Sequence, residues 1–318
     1  MNANAVAPEG ALRLHDWGLI RARGPEARSF LQGQLTQDLL HLRPGQARLA
    51  GYCSPKGRLL ASFVVWPEAG DGGGEDELLL ACSADLLPAT LKRLSMYVLR
   101  ARCRLSDAST EIALWGVAGA PAQVLAGTLS AWAMRDDGAV RVLRLPDAAL
   151  HGQALPRALL VQPADAAAPA LPALAPSAWA ALEARSGVVR IVAATQEQFV
   201  PQRVNLELVG GVDFRKGCYP GQEVVARSQY RGTQTRRAYL VSGSTAMAPG
   251  QEIFHSAEPG QPAGCIALAG ALGPGQFDAL AELKIAAAAD GSLHLGQASG
   301  PVLTLGTLPY ALPAAAVS

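Results

Sequence analysis

This 318-residue chain is poor in charge and in aromatic rings: 17% of its residues are Asp, Glu, Lys or Arg, and 5% are Phe, Trp or Tyr. A formal net charge of +1 gives no overall positive field for nucleic acid, and so few rings leave little material for a base-stacking platform. Long apolar runs are missing too. Nothing approaches the roughly 20 apolar residues of a membrane-spanning helix, and residues 1–17 lack the charged start and continuous apolar stretch of a secretory leader. A cytoplasmic protein with no membrane partner is expected. Cysteine is scarce: Cys53, Cys82, Cys103, Cys218 and Cys265 are odd in number and far apart, which argues against a disulfide scaffold and against a closed four-cysteine metal site. What the chain has in plenty is apolar side chain, half of all residues, enough for two or three domains with proper cores.

Strand and helix signals alternate in the first part of the chain. Residues 18–23 read as a strand, and Gly24-Pro25-Glu26 opens a helix that Gly33 closes. Residues 47–53 and 58–66 read as a hairpin across Ser54-Pro55-Lys56-Gly57, where Pro in the second and Gly in the fourth place suit a type I turn. An acidic, glycine-rich loop is expected over 68–77, a strand over 77–82, and then a helix capped by Ser83 whose Leu86, Leu87, Leu91 and Leu94 face the core. Strands over 99–105 and 111–117, a small-residue helix over 120–129, an Ala-Pro-Leu connection over 163–176 and a helix over 177–186 follow. Beyond Gly232 the signal is all-β. Residues 236–242, 251–255, 263–269, 279–285 and 302–304 are short strands between Gly- and Pro-bearing turns, as in a small barrel or sandwich. The fold class is α+β with a β-rich tail and a boundary near Arg231.

The segment Lys216-Gly-Cys-Tyr-Pro-Gly-Gln-Glu223 carries the most chemical information. Pro220 suits the first turn of a helix that continues through Glu223-Val-Val-Ala-Arg227, so Cys218 is expected beside free backbone N–H groups and the positive end of a helix dipole. With Lys216 and Arg215 nearby, that setting favours the thiolate and makes the sulfur a nucleophile or a soft metal ligand. The bland alternative is an inert thiol packed at a tight glycine turn. Glu223 and Arg227 are spaced for an ion pair on one helix face. Arg215, Lys216, Arg227, Arg231, Arg236 and Arg237 face a single acid, Glu223, over this stretch, and form either a concentrated positive field or a solvated face.

This motif, continued by Val224-Val-Ala-Arg227 and Arg231-Gly232, closely resembles the signature of the YgfZ family of folate-binding proteins. Further matches are Phe30-Leu-Gln-Gly-Gln-Leu-Thr36 with Asp38, Tyr52-Cys-Ser-Pro-Lys-Gly-Arg58, Met96-Tyr-Val-Leu-Arg100, and Phe199-Val-Pro-Gln202 with Asn205-Leu206. The resemblance spans residues 12–310. It implies a three-lobed cloverleaf like that of the aminomethyltransferase T-protein of glycine cleavage. Two interleaved α+β lobes over residues 1–231 would form a funnel for tetrahydrofolate or a derivative, and an antiparallel β-barrel would follow over 232–318. It also implies a part in assembly or repair of iron–sulfur clusters, in partnership with client or assembly proteins and in support of enzymes such as those that modify tRNA.

Cys218 is the family's cysteine, and the resemblance makes it the working thiolate, able to ligate iron or a cluster transiently or to form a mixed disulfide or adduct. No permanently bound metal is expected. Of the cofactor-side residues, Lys216 would lower the thiol pKa. Tyr219 would stack on or hydrogen-bond a ligand or else pack in the core, and Gln222 would reach the pterin or only complete the first helical turn. Arg227 would order Glu223 or meet the anionic tail of folate. T-proteins carry a catalytic Asp about one turn into a helix; the matching stretch Leu80-Ala-Cys-Ser-Ala-Asp-Leu-Leu-Pro-Ala-Thr90 offers only Asp85, at the helix start where it would stabilise the dipole, and this argues against glycine-cleavage activity. Two other readings stay open, a folate-dependent one-carbon transferase and a tRNA-binding module built on the basic run.

Overall fold

A computed structural model of the chain describes residues 7–68, 76–230 and 234–313. The expected acidic loop after Glu68 and the expected boundary at Arg231 lie largely outside the described residues. The chain opens with β1 (Gly10–Arg13) and β2 (Trp17–Arg23), then α1 (Ala27–Gln32), the hairpin β3 (Arg48–Cys53) and β4 (Leu59–Pro67), and β5 (Glu77–Ser83). Next come α2 (Leu87–Val98), β6 (Arg104–Asp107), β7 (Ile112–Ala118), α3 (Ala120–Ala126), β8 (Met134–Asp137), β9 (Val140–Leu150) and β10 (Gln153–Pro163). Helices α4 (Pro176–Arg185) and α5 (Gln222–Tyr230) bracket a segment with little regular structure, and β11 (Arg236–Gly243), β12 (Glu252–His255), β13 (Glu258–Gly273), β14 (Gln276–Lys284), β15 (Leu293–Leu295) and β16 (Val302–Leu305) complete the order.

Two five-stranded antiparallel sheets and a closed barrel result. The first sheet runs β3-β4-β5-β2-β6, the second β1-β7-β10-β9-β8, and the barrel β11-β14-β13-β12-β15-β16. Consecutive strands β1 and β2 belong to different sheets: Gly10 pairs with Ala118, whereas Trp17 pairs with Ser83. The chain thus starts in the second sheet, crosses to the first and returns through β7.

Strand β4 explains how the layers stack. Its side chains alternate in direction, and because both sheet faces are covered almost the whole strand is buried. Phe63 and Val65 join a core with α1, α2 and the 189–225 segment, while Val64 and Trp66 join a second core shared with Leu143, Leu145, Leu159 and Trp179. The two sheets therefore pack face to face. The barrel is tied on by α4, which lies against β13 and β14. Arg185 of that helix donates Nε to Asp278 Oδ2 at 2.7 Å and Nη2 to Oδ1 at 2.8 Å, and Ser242 Oγ donates to the same carboxylate at 2.6 Å.

Three expectations require correction. Ser83 ends β5 and does not cap α2; the N-cap is Leu86, and the Ser83 hydroxyl accepts from Arg190 Nη1 at 3.0 Å. Residues 99–103 are not strand, because Leu99 leaves α2 at φ 40° and β6 begins only at Arg104. Strands β8, β9 and β10 were not foreseen at all. No helix among the described residues is long and apolar enough to cross a membrane.

Candidate functional site

Cys218 is exposed, while Cys53 and Cys82 are buried and Cys103 and Cys265 half-buried. Burial pushes the thiols of Cys53 and Cys82 up to about 12. Exposure removes the reading of Cys218 as an inert packed thiol.

The loop that carries Cys218 is braced by the other sequence motifs. Lys216, buried two residues earlier, donates from Nζ to the carbonyls of Gln32 and Leu35, the second at 2.6 Å, and its ammonium lies 5.0 Å from the centre of the Tyr219 ring. Burial pulls the Lys216 amine down to about 8, against the opposing pull of Asp38, Asp213 and Cys218. The cation is therefore shared among carbonyls, an aromatic face and nearby anions, with the thiol as one partner among several. Tyr219 is 7% exposed and packs on the inner side of the loop. Burial raises its phenol above the ordinary tyrosine range.

The helix after Cys218 starts later than the position of Pro220 suggests. Gly221 has φ +77°, a left-handed conformation that ends any helical run through Pro220, and α5 begins at Gln222. The cause is contact with the 54–57 turn, where Gly57 N donates to Ser54 O at 2.8 Å. A Cβ on Gly221 would lie 2.4 Å from Ser54 O and 2.7 Å from Gly57 Cα, and a Cβ on Gly57, itself at φ +70°, would lie 2.8 Å from Val224 Cβ. Behind this contact, fully buried Gln202 donates Nε2 to Val225 O at 2.8 Å. Below it, Thr36 exchanges bonds with Gly51 and takes Asp213 N–H on its carbonyl at 2.9 Å. Three motifs distant in sequence thus converge on the cysteine loop and its helix.

The other predicted site residues divide differently. Gln222 is half-buried at the start of α5, and its backbone N–H meets Tyr219 O at 3.2 Å. Glu223 and Arg227 are both exposed on α5, and among the described residues no ion pair joins them. Much of the basic run is internal. Lys216 is buried, Arg237 is paired with Glu207, and Arg236 donates to Glu282 at 2.8 Å. Among the described residues the run thus divides between the internal Lys216 and Arg237, the partly exposed Arg236, and the exposed Arg215 and Arg227.

None of these residues lines the cavity between the two sheets. That cavity has about 40 Å³ of space open to water-sized spheres, well below the roughly 300–1,000 Å³ of small-molecule sites. Its walls include Trp17, Phe63, Trp132, Arg157, Glu183 and Arg190. Arg190 is bound by Glu183 through Nε and Nη2 at 3.1 and 3.0 Å and by Asp16 at 2.6 Å, and lies 5.1 Å from the Trp17 ring centre. Burial alone would lower its pKa, yet Glu183 and Asp16 hold it above the ordinary arginine value. Arg157 donates to Pro146 O from Nε and Nη2, both at 3.1 Å. The Nε1 donor of Trp17 is buried with no acceptor among the described residues. Sequence reasoning missed this cavity because its walls come from β2, β4, β10, α4 and the connections after α3 and α4, and no local motif joins them.

Asp85 lies before α2 and accepts from Ala193 N at 2.9 Å, so it clamps another segment and does not serve the dipole of α2. Among the described residues no three His, Cys, Asp or Glu side chains converge as a metal-ligating group.

No family model matches the sequence. Curated relatives do. The chain is 34% identical over 317 residues to the tRNA-modifying protein YgfZ of Edwardsiella ictaluri, covering 95% of this chain and 93% of that protein. It is 33% identical over 257 residues to the protein of the same name from Klebsiella pneumoniae, covering 78% and 76% respectively. Among solved structures, the glycine cleavage system aminomethyltransferase T from Bartonella henselae superposes with a TM-score of 0.73 over 96% of this chain and 87% of that one, at 15% identity, which establishes a shared fold. With its Cys218 loop braced by the matching motifs and its relatives aligned nearly end to end, the chain belongs to the YgfZ family.

Proposed function

We propose that this chain is a cytoplasmic, tetrahydrofolate-binding accessory protein for iron–sulfur cluster assembly or repair, acting for client enzymes such as those that modify tRNA. The observation that carries this reading is the exposure of one thiol, Cys218, on a loop fixed from several sides, while every other cysteine is buried or half-buried. A firmly presented, accessible cysteine sulfur is what transient ligation of iron or a cluster on a partner protein requires, since the remaining ligands would come from that partner.

The walls of the central cavity carry groups suited to a pterin, although its space of about 40 Å³ would have to open to admit one. Trp17, Phe63 and Trp132 offer flat apolar walls, Trp17 Nε1 offers an unused donor, and Glu183 has acceptor capacity left beyond its two bonds to Arg190. These residues would hold the ring, with the Glu183 carboxylate oriented by Arg190 toward the N–H edge of the heterocycle. Bound tetrahydrofolate would supply a reduced ring and a one-carbon acceptor. The motif residues Lys216, Tyr219 and Gln222 act in this reading as the frame of Cys218, and Glu223 and Arg227 lie on the outer face of α5.

The test compares variants in cells that lack the protein and depend on cluster enzymes. Cys218→Ala should fail to restore those enzymes, yet bind tetrahydrofolate with the wild-type affinity when followed by tryptophan fluorescence. Glu183→Gln should weaken tetrahydrofolate binding at least tenfold. Full restoration by Cys218→Ala would refute the role of the thiol, and unchanged binding by Glu183→Gln would refute the cavity as the folate site.

A further inference from the structure

We propose that Arg58, Arg203 and Arg236 form a binding site for a phosphate-class oxyanion at the seam between the first sheet and the barrel. The three side chains come from the end of the 54–58 turn, from the short 3-10 turn Pro201–Val204 and from β11. They gather around one carboxylate, Glu282 of β14. Arg236 Nη1 reaches Glu282 Oε2 at 2.8 Å and Arg203 Nη1 stands 3.6 Å from Oε1. Arg58 spends Nη1 on the carbonyls of Glu197 and Gln198, at 3.2 and 2.9 Å. Gln198 in turn accepts a 3.5 Å bond from Cys265, the register partner of Glu282.

Charge and accessibility both leave this cluster unfinished. Glu282 pairs with Arg236 and, more loosely, with Arg203, and Arg58 also acts on its carboxylate, so one carboxylate serves three guanidinium groups. The Glu282 side chain is 4% exposed, whereas Arg236 is 23% and Arg203 37% exposed. The carboxylate therefore lies beneath and orients guanidinium groups that open outward. Among the described residues the Arg203 guanidinium makes no hydrogen bond, only the loose ion pair to Glu282. Guanidinium forks bind oxyanions in bidentate fashion, and a tetrahedral phosphate offers more charge and more acceptor oxygens to three converging forks than a carboxylate does.

The full-length protein would be titrated with sodium phosphate and with tripolyphosphate against chloride at equal ionic strength, by calorimetry. Saturable binding to one site is expected, weakened at least tenfold in Arg203→Ala, partly recovered in Arg203→Lys and unchanged in Lys92→Ala, a basic surface residue elsewhere. Tighter binding of tripolyphosphate would assign the site to a polyphosphate group, and equal binding to a single phosphate. Arg58→Ala provides a second variant on a different segment, with a loss of affinity like that of Arg203→Ala. Absence of saturable binding to the wild type, or wild-type affinity in both Arg203→Ala and Arg58→Ala, would overturn the proposal.

Discussion

Gly221 and Gly57 decide where Cys218 stands, because the backbone of the cysteine loop touches the backbone of the 54–57 turn with no room for a side chain between them. Gly221→Ala combines a left-handed backbone, which costs a non-glycine residue about 1–3 kcal/mol, with a Cβ driven into Ser54 O. Urea unfolding should show a loss at the upper end of that range or beyond it. Lys216 gives a pH signature. Its amine sits at about 8 in the folded chain against an ordinary value of 10.5. Below pH 8 both states bind the proton; between the two values the unfolded chain holds a proton that the folded chain has released, so stability rises with pH across that window. Lys216→Met abolishes this rise. The unfolding free energy of wild type minus variant should grow between pH 7 and pH 10, and a flat difference would mean that the buried amine keeps its charge. The sequence motif singled out the exposed thiol, because a single short segment held it. The inward turn of Lys216 and Tyr219 was not legible, since both are set by carbonyls and packing from the α1 loop, far away in the chain.

Helix α5 is held from behind by Gln202, whose amide bonds Val225 O while its own backbone carbonyl accepts from Arg237 of the barrel at 3.0 Å. Gln202→Ala should cost about 1 kcal/mol, the net worth of an ordinary buried hydrogen bond. Amides of α5 should exchange faster with solvent, and alkylation of Cys218 should change in rate; unchanged exchange would show that Gln202 is not the anchor. Elements with clear period and punctuation, such as the β3–β4 hairpin and most barrel strands, could be read from sequence. Strands β9 and β10 could not, because Pro146, Pro156 and Pro163 look like breakers. The register shift between Leu155 and Arg157 places Pro156 at an irregularity where the ladder does not need its missing N–H.

At the scale of the molecule, a small cavity lies between the two sheets and the thiol stands on a loop outside that cavity's walls. The general architecture followed from the order of strand and helix signals, with a β-rich tail that closes into a barrel. The cavity did not, because Trp17, Trp132, Glu183 and Arg190 meet only after the chain has crossed between sheets. The bidentate Arg185–Asp278 pair binds α4 to the barrel, and Arg185→Ala would strand a buried carboxylate at a cost of about 3–5 kcal/mol; thermal unfolding should register it as a lower or split transition. The central claim is that a folate-binding body presents one thiol for cluster chemistry. Its most direct test is a [4Fe–4S] client stripped of its cluster and rebuilt in the presence of the purified protein, wild type or Cys218→Ala, with and without tetrahydrofolate. The account predicts recovery of client activity with wild type, further gain on adding tetrahydrofolate, and no gain over buffer with Cys218→Ala. Equal recovery with wild type and Cys218→Ala would contradict it.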